Sequence, residues 1–182
     1  MNLPNKLTML RIILIPVFLV LVLVDRIPMH YLWSLIVFLA ACITDTLDGN
    51  IARKRNLVTD FGKLMDPLAD KLLVMSALVA FIPVAGVPVW VVVVILGREF
   101  MVTSLRLIAA GKGVVIAADK WGKVKTISQM VWLNYTLLML WLFPEAGWAQ
   151  LLFVVLMGIV VATTVLSGAN YMLKNKALYS DR

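Results

Sequence analysis

At 182 residues, with 62% of them hydrophobic and 15% charged, the chain is too apolar for a water-soluble domain. Its mean hydropathy of +0.96 belongs to a polytopic membrane protein. The net charge of +7 would otherwise suggest nucleic acid, but the basic residues follow the connecting segments of a membrane topology, so no nucleic-acid partner is expected. Lone Cys42 excludes an internal disulfide and reads as a small buried apolar residue.

Apolar stretches fall at about 7–25, 31–49, 64–83, 87–110, 126–143 and 148–173. They predict an all-α membrane protein with about six transmembrane helices, forming a single membrane-embedded domain over residues 1–182. Residues 2–11 are polar enough to form a short N-terminal segment partly in the interface, with Arg11 snorkelling to the headgroups. Lys6 and Arg11 ahead of the first span imitate a signal peptide, but no small-residue cleavage site follows Val24, so the span reads as retained. Pro16 should bend this helix. His30 falls in an external connection and reads as a surface or interface residue, not a ligand. The second span ends on Asp45 and Asp48, and the third begins with Asp66 and Asp70. Pro67 is expected close to the start of its helix, where proline is tolerated. On the fourth span Arg98 lies beside Glu99 and reads at least as well as an internal ion pair as a substrate contact. Arg106 is three to four residues from that span's cytoplasmic end. Gly111 and Gly113 should let the following loop flex. The sixth stretch runs for 26 residues without a charge, and its small residues permit close helix packing.

Connections at 50–63 and 111–125 and the tail at 174–182 hold eleven Lys and Arg residues, whereas those near 25–30, 84–87 and 144–147 hold only Arg26. The positive-inside rule therefore puts both termini, and the helix ends that bear the aspartates, on the cytoplasmic side. Trp33, Trp90 and Trp148 read as anchors at the external interface and Trp121 as one near the cytoplasmic side.

The chemistry concentrates in D-T-L-D-G-N-I-A-R, eight residues, then G-K-L-M-D-P-L-A-D, which is D-x2-D-G-x2-A-R-x8-G-x3-D-x3-D. If both flanks are helical, Asp45, Asp48, Gly49 and Ala52 share one stripe, and Gly62, Asp66 and Asp70 share another. Facing stripes would gather four negative charges whose repulsion is tolerable only with protons or cations present. Mg²⁺ or Mn²⁺ suits such oxygen donors. Two such ions about 3.5–4 Å apart would suit displacement at phosphorus. Gly49, Ala52 and Gly62 leave room for a ligand near the backbone, and Arg53 offers a fork for phosphate oxygens. A charge network with Arg53, Lys54, Arg55, Lys63 and Lys71 would also use the carboxylates, but it does not require glycine and alanine at those places.

Matched at every defined position, this pattern resembles the signature of the CDP-alcohol phosphatidyltransferases. The opening N-L-P-N-K-L-T-M-L-R, G-R-E-F at Gly97 and D-K-W-G-K-V-K-T at Asp119 are similar to the branch of that family that makes phosphatidylglycerophosphate. The resemblance implies that CDP-diacylglycerol is the donor, CMP the leaving group and two divalent cations the cofactors. It also implies a homodimer in the bacterial cytoplasmic membrane. Asp45, Asp48, Asp66 and Asp70 would be metal ligands, with the family's general base falling on Asp70, although sequence alone does not separate ligand from base. The CDP-lipid would lie against Asn5, Thr8, Gly49, Ala52, Arg53 and Gly62. For the acceptor's phosphate, Arg106, Lys112, Lys123 and Lys125 are the candidates, each lysine competing with a role at anionic headgroups. A basic acceptor pocket favours sn-glycerol 3-phosphate over serine, choline or free inositol. Inositol phosphate is the nearest rival and a cardiolipin-forming reaction the next. From other classes, a cation-coupled transporter and a structural scaffold are the alternatives.

Overall fold

The computed structural model describes residues 3–54, 60–114, 116, 119–176 and 179; side chains at positions 3, 4, 6, 45–54, 60–64, 66 and 67 lie outside the described set. Among the described residues six α-helices follow in order: α1 Leu3–Leu23, α2 His30–Lys54, α3 Asp60–Ala85, α4 Val89–Gly111, α5 Lys120–Leu142 and α6 Gly147–Lys174. Each takes up most or all of one of the six apolar stretches, as an apolar chain must when every backbone group has to find its partner within its own helix. Among the described residues, two segments are long and apolar enough to cross a bilayer, Leu68–Ala85 in α3 and the whole of α6; Leu7–Leu23 and His30–Thr44 are shorter apolar helices. Apolar side chains also cover the outside, with Leu107 and Leu173 each 74% exposed, a surface suited to lipid.

The chain forms two compact units. In the first, residues 1–87 and 136–144, α1 packs against α2 and α3, and α2 against α3. The stripe Asn5, Thr8, Arg11, Ile15, Phe18 and Val22 is buried along α1, and the Phe18 and Phe38 rings meet at 5.5 Å. In the second, residues 88–135 and 145–182, α4 packs against α6. There Val102, Leu105 and Tyr171 form a buried cluster with Ile116 and Met172 against it. Trp132 of α5 lies 5.9 Å from Phe153 of α6, ring centre to ring centre.

Five expectations change. Residues 3–11 belong to α1 and do not form a separate interfacial segment. Arg11 does not snorkel: it is fully buried, because its register with Thr8 and Ile15 turns it toward the packed face. Pro67 lies inside α3, about two turns from its start, because the helix begins at Asp60 instead of near residue 64. His30 is tucked in at the head of α2, where Nδ1 donates to the Leu21 carbonyl at 3.2 Å and joins the two helix ends. Cys42 is half-buried.

The α4–α5 connection is held at both ends. At its start Gly113, φ +72°, closes α4 with its N–H on the Ala110 carbonyl at 3.0 Å, while the Val114 N–H returns to Ala109 at 2.8 Å. This is a Schellman closure, which needs the left-handed conformation at Gly113. Gly113 therefore has a fixed role and not the flexible one its composition suggested. At the far end Asp119 accepts hydrogen bonds from Asn170 and, at 3.0 Å, from Lys174 on α6. The Lys174 bond, followed by its charge, the Lys120 N–H and Asn170, outweighs desolvation and holds the Asp119 carboxyl below its ordinary range.

Gly113→Ala should therefore lower stability by about 1 kcal/mol, while Gly111→Ala, inside the last turn with open space around it, should be neutral or slightly stabilising. Denaturant titration of both variants in detergent checks the pair. Because the folded carboxyl of Asp119 titrates below its unfolded value, its contribution is complete above about pH 4 and vanishes as pH falls through the lowered folded value. The stability gap between the wild type and Asp119→Asn should accordingly be constant from neutral pH down to that range and close in stronger acid, as read by thermal unfolding across pH.

Candidate active site

The carboxylate part belongs to the first unit. Because α2 remains helical through Lys54, positions 45, 48, 49 and 52 keep a common face, and α3 does the same for 62, 66 and 70. These two helices pack on each other and on α1. Asp70 is half-buried beside Ala69 and Leu73, which are buried. The side chains of Asp45, Asp48, Ala52, Arg53 and Asp66, and the surroundings of Gly49 and Gly62, lie outside the described residues. Among the described residues no group of three or more His, Cys, Asp or Glu side chains gathers. Asn5 and Thr8 stand on the buried stripe of α1, 8% and 0% exposed. They therefore share the unit that carries the aspartate positions.

The basic part belongs to the second unit. Arg106 is an exposed side chain braced by α6: its Nε donates to the Tyr171 hydroxyl at 3.1 Å, and its guanidinium carbon lies 5.8 Å from the centre of that ring. Lys112 caps the end of α4 and Lys123 lies on the first turn of α5, both exposed. Lys125 departs from the expectation of a loop residue. Because α5 begins at Lys120, it lies on the helix with its side chain 3% exposed, and Nζ donates to Oε1 of Glu99. Arg98 Nη1 reaches the same oxygen at 3.2 Å, and Nη2 donates to Ser167 Oγ at 2.5 Å. The ion pair expected at Arg98 and Glu99 is thus present, joined by Lys125 as a second cation. Arg106 lies eight residues beyond Arg98, about 12 Å along the helix, so the braced arginine and the bridged one are separate features of α4.

Of the residues that orient these two arginines, Tyr171 was not singled out in the sequence, and Ser167 was read only as one of the small residues that allow close helix packing. Their one signal was spacing: with Asn170 they are polar positions three and four apart in a span that holds no charge.

The first unit carries the aspartate positions on two packed helices, and the second holds Arg98, Arg106 and Lys125 by hydrogen bonds. A family model described as CDP-alcohol phosphatidyltransferase matches residues 1–166. The Bacillus subtilis (strain 168) CDP-diacylglycerol–glycerol-3-phosphate 3-phosphatidyltransferase is 44% identical over 190 aligned residues, covering 96% of this chain and 95% of the relative. A Rickettsia typhi protein of the same name is 42% identical, covering 75% of this chain and 76% of its own. In Mycobacterium tuberculosis (strain CDC 1551 / Oshkosh), a protein named "Probable phosphatidylglycerophosphate synthase" is 38% identical, covering 94% of this chain and 80% of its own. By the extent of these matches and by its aspartate motif, the chain belongs to the CDP-alcohol phosphatidyltransferase family.

Proposed function

We propose that the chain transfers the phosphatidyl group of CDP-diacylglycerol to sn-glycerol 3-phosphate, giving phosphatidylglycerophosphate and CMP. The observation that carries this reading is the unbroken helicity of α2 through Asp45 and Asp48 and of α3 through Asp66 and Asp70, on helices that pack together. The names of the relatives support the donor and the acceptor.

As a donor set, four carboxylates without histidine or cysteine fit Mg²⁺ or Mn²⁺. Asp45, Asp48, Asp66 and Asp70 would hold two such ions. When bound, these ions supply positive charge to the diphosphate and to the leaving phosphate. The remaining steps fall to the chain's own residues. Asn5, Thr8, Gly49, Ala52, Arg53 and Gly62 would seat the nucleotide end of the lipid, with its acyl chains in the bilayer. Arg106, Lys112, Lys123 and Lys125 would take the acceptor's phosphate and orient its free hydroxyl. That hydroxyl oxygen bonds to the phosphatidyl phosphorus, the bond from phosphorus to the CMP oxygen breaks, and the hydroxyl proton passes to Asp70 as general base. Six spans in one domain over residues 1–182, with both termini and the site facing the cytoplasm, would give the enzyme access to a lipid donor and a soluble acceptor. The bacterial sources of the relatives support a cell-membrane location, and we propose a homodimer.

Purified protein in detergent with CDP-diacylglycerol and Mg²⁺ should release CMP with sn-glycerol 3-phosphate but not with inositol phosphate, serine or no acceptor. Asp70→Asn should lower the rate by at least about a thousandfold. Release with another acceptor would reassign the enzyme within the family, and an undiminished Asp70→Asn would remove that residue from the reaction.

A further inference from the structure

Arg11 is 0% exposed in an apolar chain, and the reaction proposed above gives it no part. A buried cation is costly unless an anion meets it, and helix register indicates which anion stands level with it. Along α1 the buried stripe runs through Asn5, Thr8, Arg11, Ile15, Phe18 and Val22. Along α2, Ser34, Phe38 and Ala41 are fully buried, at the same spacings of four and three. Continued down the unbroken helix, that rhythm falls on positions 45, 48 and 52.

The two helices pack on each other and run antiparallel, joined by a connection of six residues. Two contacts fix their alignment. At the connected end His30 Nδ1 reaches the Leu21 carbonyl at 3.2 Å, and farther along the Phe18 and Phe38 rings are 5.5 Å apart. Arg11 lies seven residues before Phe18, and Asp45 seven residues after Phe38, about 10 Å along each helix from the rings. On the backbone, Arg11 and Asp45 therefore stand at one level. Thr8 and Asp48, each ten residues from the rings, stand at the next.

We infer that Arg11 is a positioning residue for Asp45: from the α1 side its guanidinium binds that carboxylate and sets its plane, leaving the remaining lone pairs to a divalent cation. A planar fork does this where a lysine would supply only a point charge. The same contact offsets part of the repulsion among the aspartates while no cation is bound. This rests on the proposed cation-binding role of Asp45, and it gives α1 a part in that site.

The test uses the purified full-length protein in detergent, without lipid substrate. Thermal unfolding in EDTA is compared for Arg11→Gln, Asp45→Asn and the double variant. Arg11→Gln alone should lower the unfolding temperature by at least about 5 °C, and that loss should vanish in the Asp45→Asn background. Mn²⁺ affinity, followed by electron paramagnetic resonance, should fall about tenfold in Arg11→Gln. Arg11→Lys, which keeps the charge without the fork, should bind Mn²⁺ more weakly than wild type and decides the matter if Arg11→Gln does not fold. Ile15→Ala, one turn away on the same buried stripe, controls for packing: it should lower the unfolding temperature and leave Mn²⁺ affinity unchanged. The inference is overturned if the Arg11→Gln loss is as large in the Asp45→Asn background as in wild type. It is equally overturned if the folded Arg11 variants bind Mn²⁺ as wild type does. Wild-type protein that binds no Mn²⁺ would defeat the cation-binding reading itself, and the cycle in EDTA would then report separately whether Arg11 and Asp45 are paired.

Discussion

The constraint on which the proposed function depends is the cost of carboxylates in an apolar chain: four aspartates stand at helical spacing on two helices that pack together, and such groups need something of opposite sign to meet them. α1 packs on both aspartate-bearing helices and buries Asn5, Thr8 and Arg11. Under the proposed function, Gly49, Ala52 and Gly62 would leave room for a charged ligand. Divalent cations and a diphosphate are the remaining partners that the reaction would supply.

In the second unit each arginine on α4 is oriented by a hydroxyl on α6: Arg98 by Ser167, Arg106 by Tyr171. Orientation of this kind matters more for arginine than for lysine, since a planar guanidinium recognises phosphate only when its plane is set. Asp119 performs a similar service for the chain itself by tying the start of α5 to Asn170 and Lys174 near the end of α6.

Much of this was legible in the sequence, for a physical reason. In an apolar chain, polar residues stand out, so each of the six helices covers most or all of its predicted stretch and the aspartate motif could be placed on two of them. Hydropathy failed where polar residues continue a helix. It started α5 near residue 126 although the helix begins at Lys120, which placed Lys125 in a loop when it is buried on a helix. It also misjudged Arg11, because polarity predicts contact with water whereas helical register decided burial. Tyr171 escaped notice, and Ser167 was read only as a small packing residue, because a hydroxyl in an apolar span is common and its meaning appears only when an arginine from another helix reaches it. For the aspartates at 45, 48 and 66 the structure adds helix register to what the motif implied.

The claim on which everything else depends is that the aspartates of α2 and α3 act as one cation-binding group. Equilibrium binding of Mn²⁺ to the purified protein, followed by electron paramagnetic resonance in the absence of lipid substrate, tests it without reference to turnover. Two ions per chain, with spin coupling between them that disappears in Asp66→Asn, is the predicted result. Weak binding with one affinity that is the same in wild type and variant would contradict it.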